Sequence, residues 1–327
     1  MKLAFFDAKP HDIASFEKPL SDAGIDVKYF DTHLNRDTAW LAYGYDAVCV
    51  FVNDVIDKKV VDILHDECGV KVIVLRCAGY NNVDLEACAG KLPVFRVPAY
   101  SPYAVAEHAM ALLLTINRRT HKAYARTRDF NFSLTNLCGF DLHGKTVGIV
   151  GAGKIGRVFA DICKGFGMRV LTYDKYPAPN SELEYVELNQ IFTEADILSL
   201  HCPLTDETRH MVNRETIAMM KKGVIIINTS RGGLIDTDAL IDGLLARHIG
   251  AACLDVYEEE ADVFFEDRSG HIMDDEKLVR LIAMPNVLVT SHQAFLTNEA
   301  LDNIASVTVE NLQKFQAGES DPITKLC

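Results

Sequence analysis

The sequence predicts an α/β protein made of two doubly wound parallel-sheet domains. Three observations carry that expectation. Short apolar runs alternate with amphipathic stretches along almost all 327 residues. That length suits two domains of roughly 100–200 residues each. A glycine-rich turn between a strand and a helix begins in the middle of the chain, at Gly151, so a complete unit precedes it.

The strand candidates of the first third are L-A-F-F (3–6), A-V-C-V-F-V (47–52), V-K-V-I-V-L (70–75) and P-V-F-R-V (93–97). Those that follow are T-V-G-I-V (146–150), R-V-L-T-Y (169–173), D-I-L-S-L (196–200), V-I-I-I-N (224–228), A-A-C-L-D-V (251–256) and N-V-L-V-T (286–290). Helix-like patterns such as I-G-R-V-F-A-D-I-C-K-G-F-G separate them. Continuous apolar strands alternating with helices are the pattern of parallel sheets covered on both faces. The proline-punctuated V-P-A-Y-S-P-Y (97–103) marks a boundary near residue 100, followed by an apolar helix over 104–116. A last helix is expected over roughly 297–316 and is a candidate to cross back to the first domain.

Composition excludes several classes. The formal net charge of −13 argues against a nucleic-acid partner, which needs clustered Lys and Arg. The start, M-K-L-A-F-F-D-A-K-P, is too soon charged for a signal peptide, and the apolar stretches are too short to span a membrane. The nine cysteines contain no C-x-x-C pair, so neither a zinc site nor a redox motif is expected. A reduced, cytoplasmic protein is the resulting expectation.

The strand T-V-G-I-V runs into G-A-G-K-I-G, Gly151 to Gly156, and then into a helix. In this arrangement Gly151 permits the tight turn, Gly153 lets the backbone approach a pyrophosphate, and Gly156 lets the helix pack on the strand. The helix N-terminus, where Lys154 and Ile155 follow, faces the anion. The next strand ends in Asp174, at the distance the dinucleotide fingerprint requires. An acid there accepts the adenosine ribose hydroxyls and repels a 2′-phosphate, which favours NAD over NADP. Lys175 beside it opposes that preference.

Ligands of open α/β sheets bind outside the carboxyl ends of the strands. Those ends carry H-C-P-L-T (201–205), T-S-R-G-G (229–233), Y-E-E-E (257–260) and S-H-Q-A-F (291–295). An arginine, a glutamate cluster and a histidine thus share one rim with the dinucleotide. Hydride transfer to a ketone leaves an oxyanion that needs a proton, and imidazolium supplies one near neutral pH. A carboxylate on the other ring nitrogen favours the charged form. A guanidinium grips a substrate carboxylate through two parallel bonds.

G-A-G-K-I-G, H-C-P-L-T, N-T-S-R-G, D-V-Y-E and S-H-Q-A-F, in this order, resemble the D-isomer-specific 2-hydroxyacid dehydrogenase family over essentially the whole chain. L-R-C-A-G-Y-N-N-V-D, V-P-A-Y-S-P, F-F-E-D-R-S-G and H-Q-A-F-L-T resemble its fermentative D-lactate dehydrogenase branch. One departure is T-S-H at 290–292 where many relatives read T-P-H; the proline stiffens the loop but adds no chemistry.

The resemblance implies Arg231, Glu260 and His292 as the catalytic group, with His292 the acid for pyruvate reduction and Glu260 its partner. It implies Ala78, Gly79, Tyr100, Arg231 and Phe295 as substrate contacts, Phe295 walling the methyl pocket. Glu258 and Glu259 are left as surface. It implies Ile155, Gly156, Asp174, Cys202, Pro203, Thr208, Thr229, Ser230 and Asp255 as cofactor contacts, beside Gly151, Gly153 and Lys154 of the loop. The implied architecture is a flavodoxin-like substrate domain, 1–100 plus 299–327, and a Rossmann NAD-binding domain, 101–298, with a cleft between them. The helix over 102–120 is expected at a homodimer contact, with homotetramers known among relatives, and His108 within it is expected to be structural. The implied activity is NAD-dependent interconversion of pyruvate and D-lactate. Glyoxylate, hydroxypyruvate or a branched oxo acid are the alternative substrates. An NAD-sensing interaction protein is the alternative class, although no basic segment or tail supports it.

Overall fold

The computed structural model describes residues 1–179, 181–260 and 263–327. The chain divides into two compact units, Met1–Ser101 with Leu296–Cys327, and Pro102–Phe295. Each is a parallel α/β sheet.

The first unit has five strands, β1 (Lys2–Phe5), β2 (Asp26–Tyr29), β3 (Ala47–Val50), β4 (Val72–Leu75) and β5 (Val94–Phe95). Their order is β2-β1-β3-β4-β5, the flavodoxin-like arrangement. Strand β2 was not legible as an apolar run. It is an edge strand, D-V-K-Y, with every residue partly or fully exposed, so burial imposed no pattern on it.

The terminal helix, Asn298–Gln316, belongs to this unit and is capped by the Thr297 hydroxyl, which accepts from the Ala300 amide. Its inward face is Ala300, Leu301, Ile304, Ala305, Thr308 and Leu312. The chain then returns along β5, with Arg96 N–H donating to Thr324 and Leu326 N–H to Val94. An edge that would otherwise stand open is thereby covered.

The second unit has seven strands, β6 (Thr146–Val150), β7 (Arg169–Tyr173), β8 (Glu184–Tyr185), β9 (Ile197–Leu200), β10 (Val224–Asn228), β11 (Ile249–Leu254) and β12 (Val287–Val289). Their order is β12-β11-β10-β9-β6-β7-β8, which extends the Rossmann order by one strand. The core explains the continuous apolar runs. Ile225 and Ile227 pack on one face of β10, whereas Val224 and Ile226 pack on the other. Both faces are buried, so both sets of alternating side chains must be apolar.

The helix Pro102–Arg118 changes one expectation. Ala106, Ala109, Met110, Leu113 and Ile116 are buried in the core of this chain's own sheet. The apolar face assigned to a dimer contact is therefore used within the unit. The helix ends at Arg119, whose φ of 52° is left-handed, and a second helix, Thr120–Arg128, leaves in a new direction. Apolar side chains are exposed there and just beyond: Tyr124, Phe130, Phe132 and Leu134.

Candidate active site

The glycine turn after β6 shows why each glycine is needed. Gly151 has φ +101°, and a Cβ on it would lie 2.6 Å from the His201 carbonyl carbon. A Cβ on Gly156 would lie 2.0 Å from the Gly151 oxygen, so the helix Lys154–Gly165 packs on the turn only because that position is bare. Gly153, the residue preceding the helix, has nothing within 4 Å of where its Cβ would be. That open face is the space a pyrophosphate needs in front of the amides that begin a helix.

Asp174, at the end of β7, completes the cradle. One carboxylate oxygen accepts the Ala152 amide at 2.7 Å and the other the Tyr176 amide at 2.8 Å. The neighbouring Lys175 is ion-paired with Glu207. A cavity of about 550 Å³ is lined by Gly151, Gly153, Asp174, Lys175, Cys202, Pro203 and Thr208, among others. These residues fit a dinucleotide.

The turn Cys202–Thr208 holds itself: the Thr208 hydroxyl donates to the Pro203 carbonyl at 2.8 Å, and the Ser230 hydroxyl donates to the Cys202 carbonyl at 2.6 Å. The Cys202 thiol is pushed up to about 11 by burial, which makes it an inert wall. Thr229 is buried, and its hydroxyl has no hydrogen-bond partner among the described residues.

Two histidines near this rim have different environments. His201 is enclosed against Phe159, with ring centroids 5.0 Å apart, and Ser199 Oγ lies 2.8 Å from its Nε2. Burial lowers it to about 4, so it stays neutral and cannot act as an acid near pH 7.

His292 instead has a carboxylate partner. Its Nδ1 lies 2.9 Å from Glu260 Oε1, and the other Glu260 oxygen accepts the Tyr257 amide at 2.9 Å. Nε2 is thereby left as the atom that can exchange a proton with a substrate. The backbone of His292 is left-handed, with φ 52°, and its amide donates to the Asp255 carbonyl at 2.7 Å. A non-glycine residue in that region is uncommon and persists where its surroundings enforce it.

Asp255 supplies that enforcement. Expected on the cofactor, its carboxylate has no exposed surface. One oxygen accepts the Gln293 amide at 2.9 Å and the Thr290 hydroxyl at 2.6 Å; the other accepts the Ala294 amide at 2.9 Å. His108 Nε2 lies 3.3 Å away. Burial pushes this carboxyl up, but the bonds from His108, Thr290 and Ala294 outweigh it and hold it below its ordinary range. His108 is accordingly a structural partner of the loop that carries His292.

Arg231 stands on the turn after β10. Asn228 Nδ2 donates to the Arg231 carbonyl at 2.9 Å, and Arg231 Nη1 donates to the Ser230 carbonyl at 2.7 Å. A Cβ on Gly232 would lie 2.1 Å from the Tyr257 carbonyl atoms, so the Arg231 turn is pressed against the loop that carries Glu260.

In the first unit, Ala78 and Gly79 follow β4. The Ala78 carbonyl accepts from Arg96 Nη1 at 2.9 Å, and Cys77 Sγ lies 3.3 Å from the Gly79 carbonyl. Tyr100 is partly buried at the end of the same unit, and Phe295 is the last residue of the second.

A Rossmann cradle and a histidine–carboxylate pair on one sheet edge define a class. Residues 110–294 match the NAD binding domain of the D-isomer specific 2-hydroxyacid dehydrogenases, and the chain belongs to that family. It is an NAD-linked oxidoreductase. D-lactate dehydrogenase of Escherichia coli K12 is 49% identical over 98% of this chain and 99% of its own length. The 2-hydroxyacid dehydrogenase homolog of Haemophilus influenzae is likewise 49% identical, over 98% of this chain and 97% of its own. Among solved structures, the apo form of the Escherichia coli D-lactate dehydrogenase superimposes with a TM-score of 0.92 at 47% identity, over the whole of both chains. The Chlamydomonas reinhardtii pyruvate reductase gives 0.94 at 42%, covering 98% of this chain and 97% of its own.

Sequence reasoning missed three partners. Glu258, read as surface, is half-buried between His210 and Thr237. Tyr257 is buried, and its hydroxyl donates to Asp275 at 3.1 Å. Thr290 bridges His108 and Asp255. A polar side chain flanking a strand end was the only available signal, and their partners lie 18 to 182 residues away along the chain.

Proposed function

We propose that this chain catalyses the reversible, NAD-dependent reduction of pyruvate to D-lactate. The observation that carries the reading is the His292–Glu260 pair at 2.9 Å on the rim that also bears Arg231 and the dinucleotide cradle. Relatives at 49% identity include D-lactate dehydrogenase of Escherichia coli, which supports pyruvate over other 2-oxo acids.

Bound NADH supplies the hydride equivalent, and the residues of the chain do the rest. Arg231 holds the substrate carboxylate and polarises the carbonyl. Protonated His292 gives its Nε2 proton to the developing alkoxide and, in lactate oxidation, takes it back. Glu260 fixes the ring tautomer and orients Nε2 toward the substrate. Ala78, Gly79 and Tyr100 are substrate contacts, and Phe295 bounds the methyl group. Gly151, Gly153, Lys154, Ile155, Gly156 and Asp174 hold the cofactor, with Cys202, Pro203, Thr208, Thr229 and Ser230. Asp255 acts there by holding the 290–294 loop.

Assembly as a homodimer is supported by Tyr124, Phe130, Phe132 and Leu134, large apolar side chains exposed close together in sequence. No described helix is long and apolar enough to cross a membrane, and all nine cysteines are free thiols, which supports a reducing, cytoplasmic setting.

NADH oxidation with pyruvate, glyoxylate, hydroxypyruvate and a branched oxo acid, compared side by side, tests the reading. Pyruvate should give the highest kcat/KM, and D-lactate but not L-lactate should be oxidised. Oxidation of L-lactate alone would overturn it.

A further inference from the structure

Three consecutive glutamates, Glu258 to Glu260, follow β11, and the structure gives them three different surroundings. Glu260 meets His292, Glu259 is exposed, and Glu258 points back into the fold. Its Oε1 lies 2.5 Å from His210 Nε2, and its Oε2 accepts the Thr237 hydroxyl at 2.9 Å. Arg209 Nη2 lies 4.0 Å from Oε1.

Both partners are themselves fixed. The His210 amide donates to the Gly233 carbonyl at 2.8 Å, and the Asn213 side chain donates to the His210 carbonyl at 3.0 Å. Thr237 is buried in the first turn of the helix Thr237–Leu245. Glu258 therefore joins the loop bearing Glu260 to the segment that follows Arg231. Gly232 makes the same joint from below, because its bare Cα lies against the Tyr257 and Glu258 backbone. Across this joint the Arg231 turn touches the Glu260 loop at Gly232, and Glu258 bonds that loop to Thr237, six residues beyond Arg231.

We propose that Glu258 is a positioning residue for catalysis: it sets the 257–260 loop so that Glu260 meets His292 while the Arg231 turn stays seated beneath. The role rests on the proposed function of His292 and Glu260, and its chemistry is that of a fixed acceptor bridging an imidazole and a hydroxyl. Its partners are His210, Thr237 and Arg209, so it acts through the loop. A misplacement of about 1 Å in catalytic groups costs on the order of 10²-fold in rate. Groups acting through one another are strongly non-additive.

The test is a double-mutant cycle on the full chain, read with NADH and the best 2-oxo acid of the wild-type panel. Glu258→Ala alone should lower kcat/KM for the oxo acid by about 10²-fold, mostly in kcat, with the NADH dissociation constant changing far less. Introduced into Glu260→Gln, the same change should cost less than about threefold, because the group it positions is already lost. Full, additive losses in the two backgrounds would overturn the proposal. So would a Glu258→Ala protein with lowered thermal stability but wild-type kcat and KM. If Glu258→Ala does not fold, Thr237→Val removes one of the two bonds and leaves the charge in place; it should show the same non-additivity at smaller size. A wild-type chain inactive on every 2-oxo acid would strike the proposed function instead, a failure visible before any variant is made.

Discussion

Glu260 Oε1 lies 2.9 Å from His292 Nδ1, and the second oxygen of Glu260 is held by the Tyr257 amide. The carboxylate is thus fixed by the chain segment it belongs to. Its position, and not only its charge, is built into the loop.

Replacing Glu260 by Gln removes the negative charge beside the His292 ring. The ring loses the carboxylate that orients it and stabilises positive charge developing on it, so kcat/KM should fall and its pH profile should change. Glu259→Gln, at an exposed neighbour, should leave the profile in place. Parallel pH–rate profiles of the two variants check this, and coincident profiles would refute the assignment.

Arg231→Lys keeps a positive charge but loses the two-pronged grip. The expected result is a higher KM for pyruvate and a lower kcat, with NADH binding retained. Cofactor fluorescence titration separates the two effects, and a loss confined to NADH binding would contradict the role.

Asp174 presents a carboxylate held by the Ala152 and Tyr176 amides, and Lys175 beside it is engaged by Glu207. Asp174→Ser should raise kcat/KM for NADPH relative to NADH by about tenfold, equivalent to roughly 1.4 kcal/mol. Steady-state assays with both cofactors measure the ratio. An unchanged ratio would mean that another group excludes the 2′-phosphate.

His201 is held neutral down to about pH 4 by burial, whereas in the unfolded chain it takes up a proton near 6.5. The unfolded state therefore binds more protons between those values, and stability falls as pH drops through that window. The loss reaches up to about 3 kcal/mol at its lower end. His201→Asn should flatten this part of the acid profile. Urea midpoints of both proteins at pH 7 and pH 4.5 give the comparison; equal acid losses would show that His201 is not the group responsible.

Much of this protein was determined by its sequence. Continuous apolar strands such as V-I-I-I-N signal burial on both faces, and the glycines at 151 and 156 are dictated by contacts as close as 2.0 Å. Arg231 and His292 were legible because they lie directly after strands, where a parallel sheet presents its ligand edge.

The tertiary structure decided what depends on partners distant in the chain. Only the fold shows that Glu258 meets His210 and Thr237, that Asp255 is occupied by the 290–294 loop, and that the apolar helix Pro102–Arg118 is covered by its own sheet. The edge strand β2 stayed hidden because exposure leaves no hydrophobic period to read. The physical reason is common to all of these. Strand and turn propensities are local, whereas the environment of a carboxylate or an apolar face is set by whichever segment folds against it.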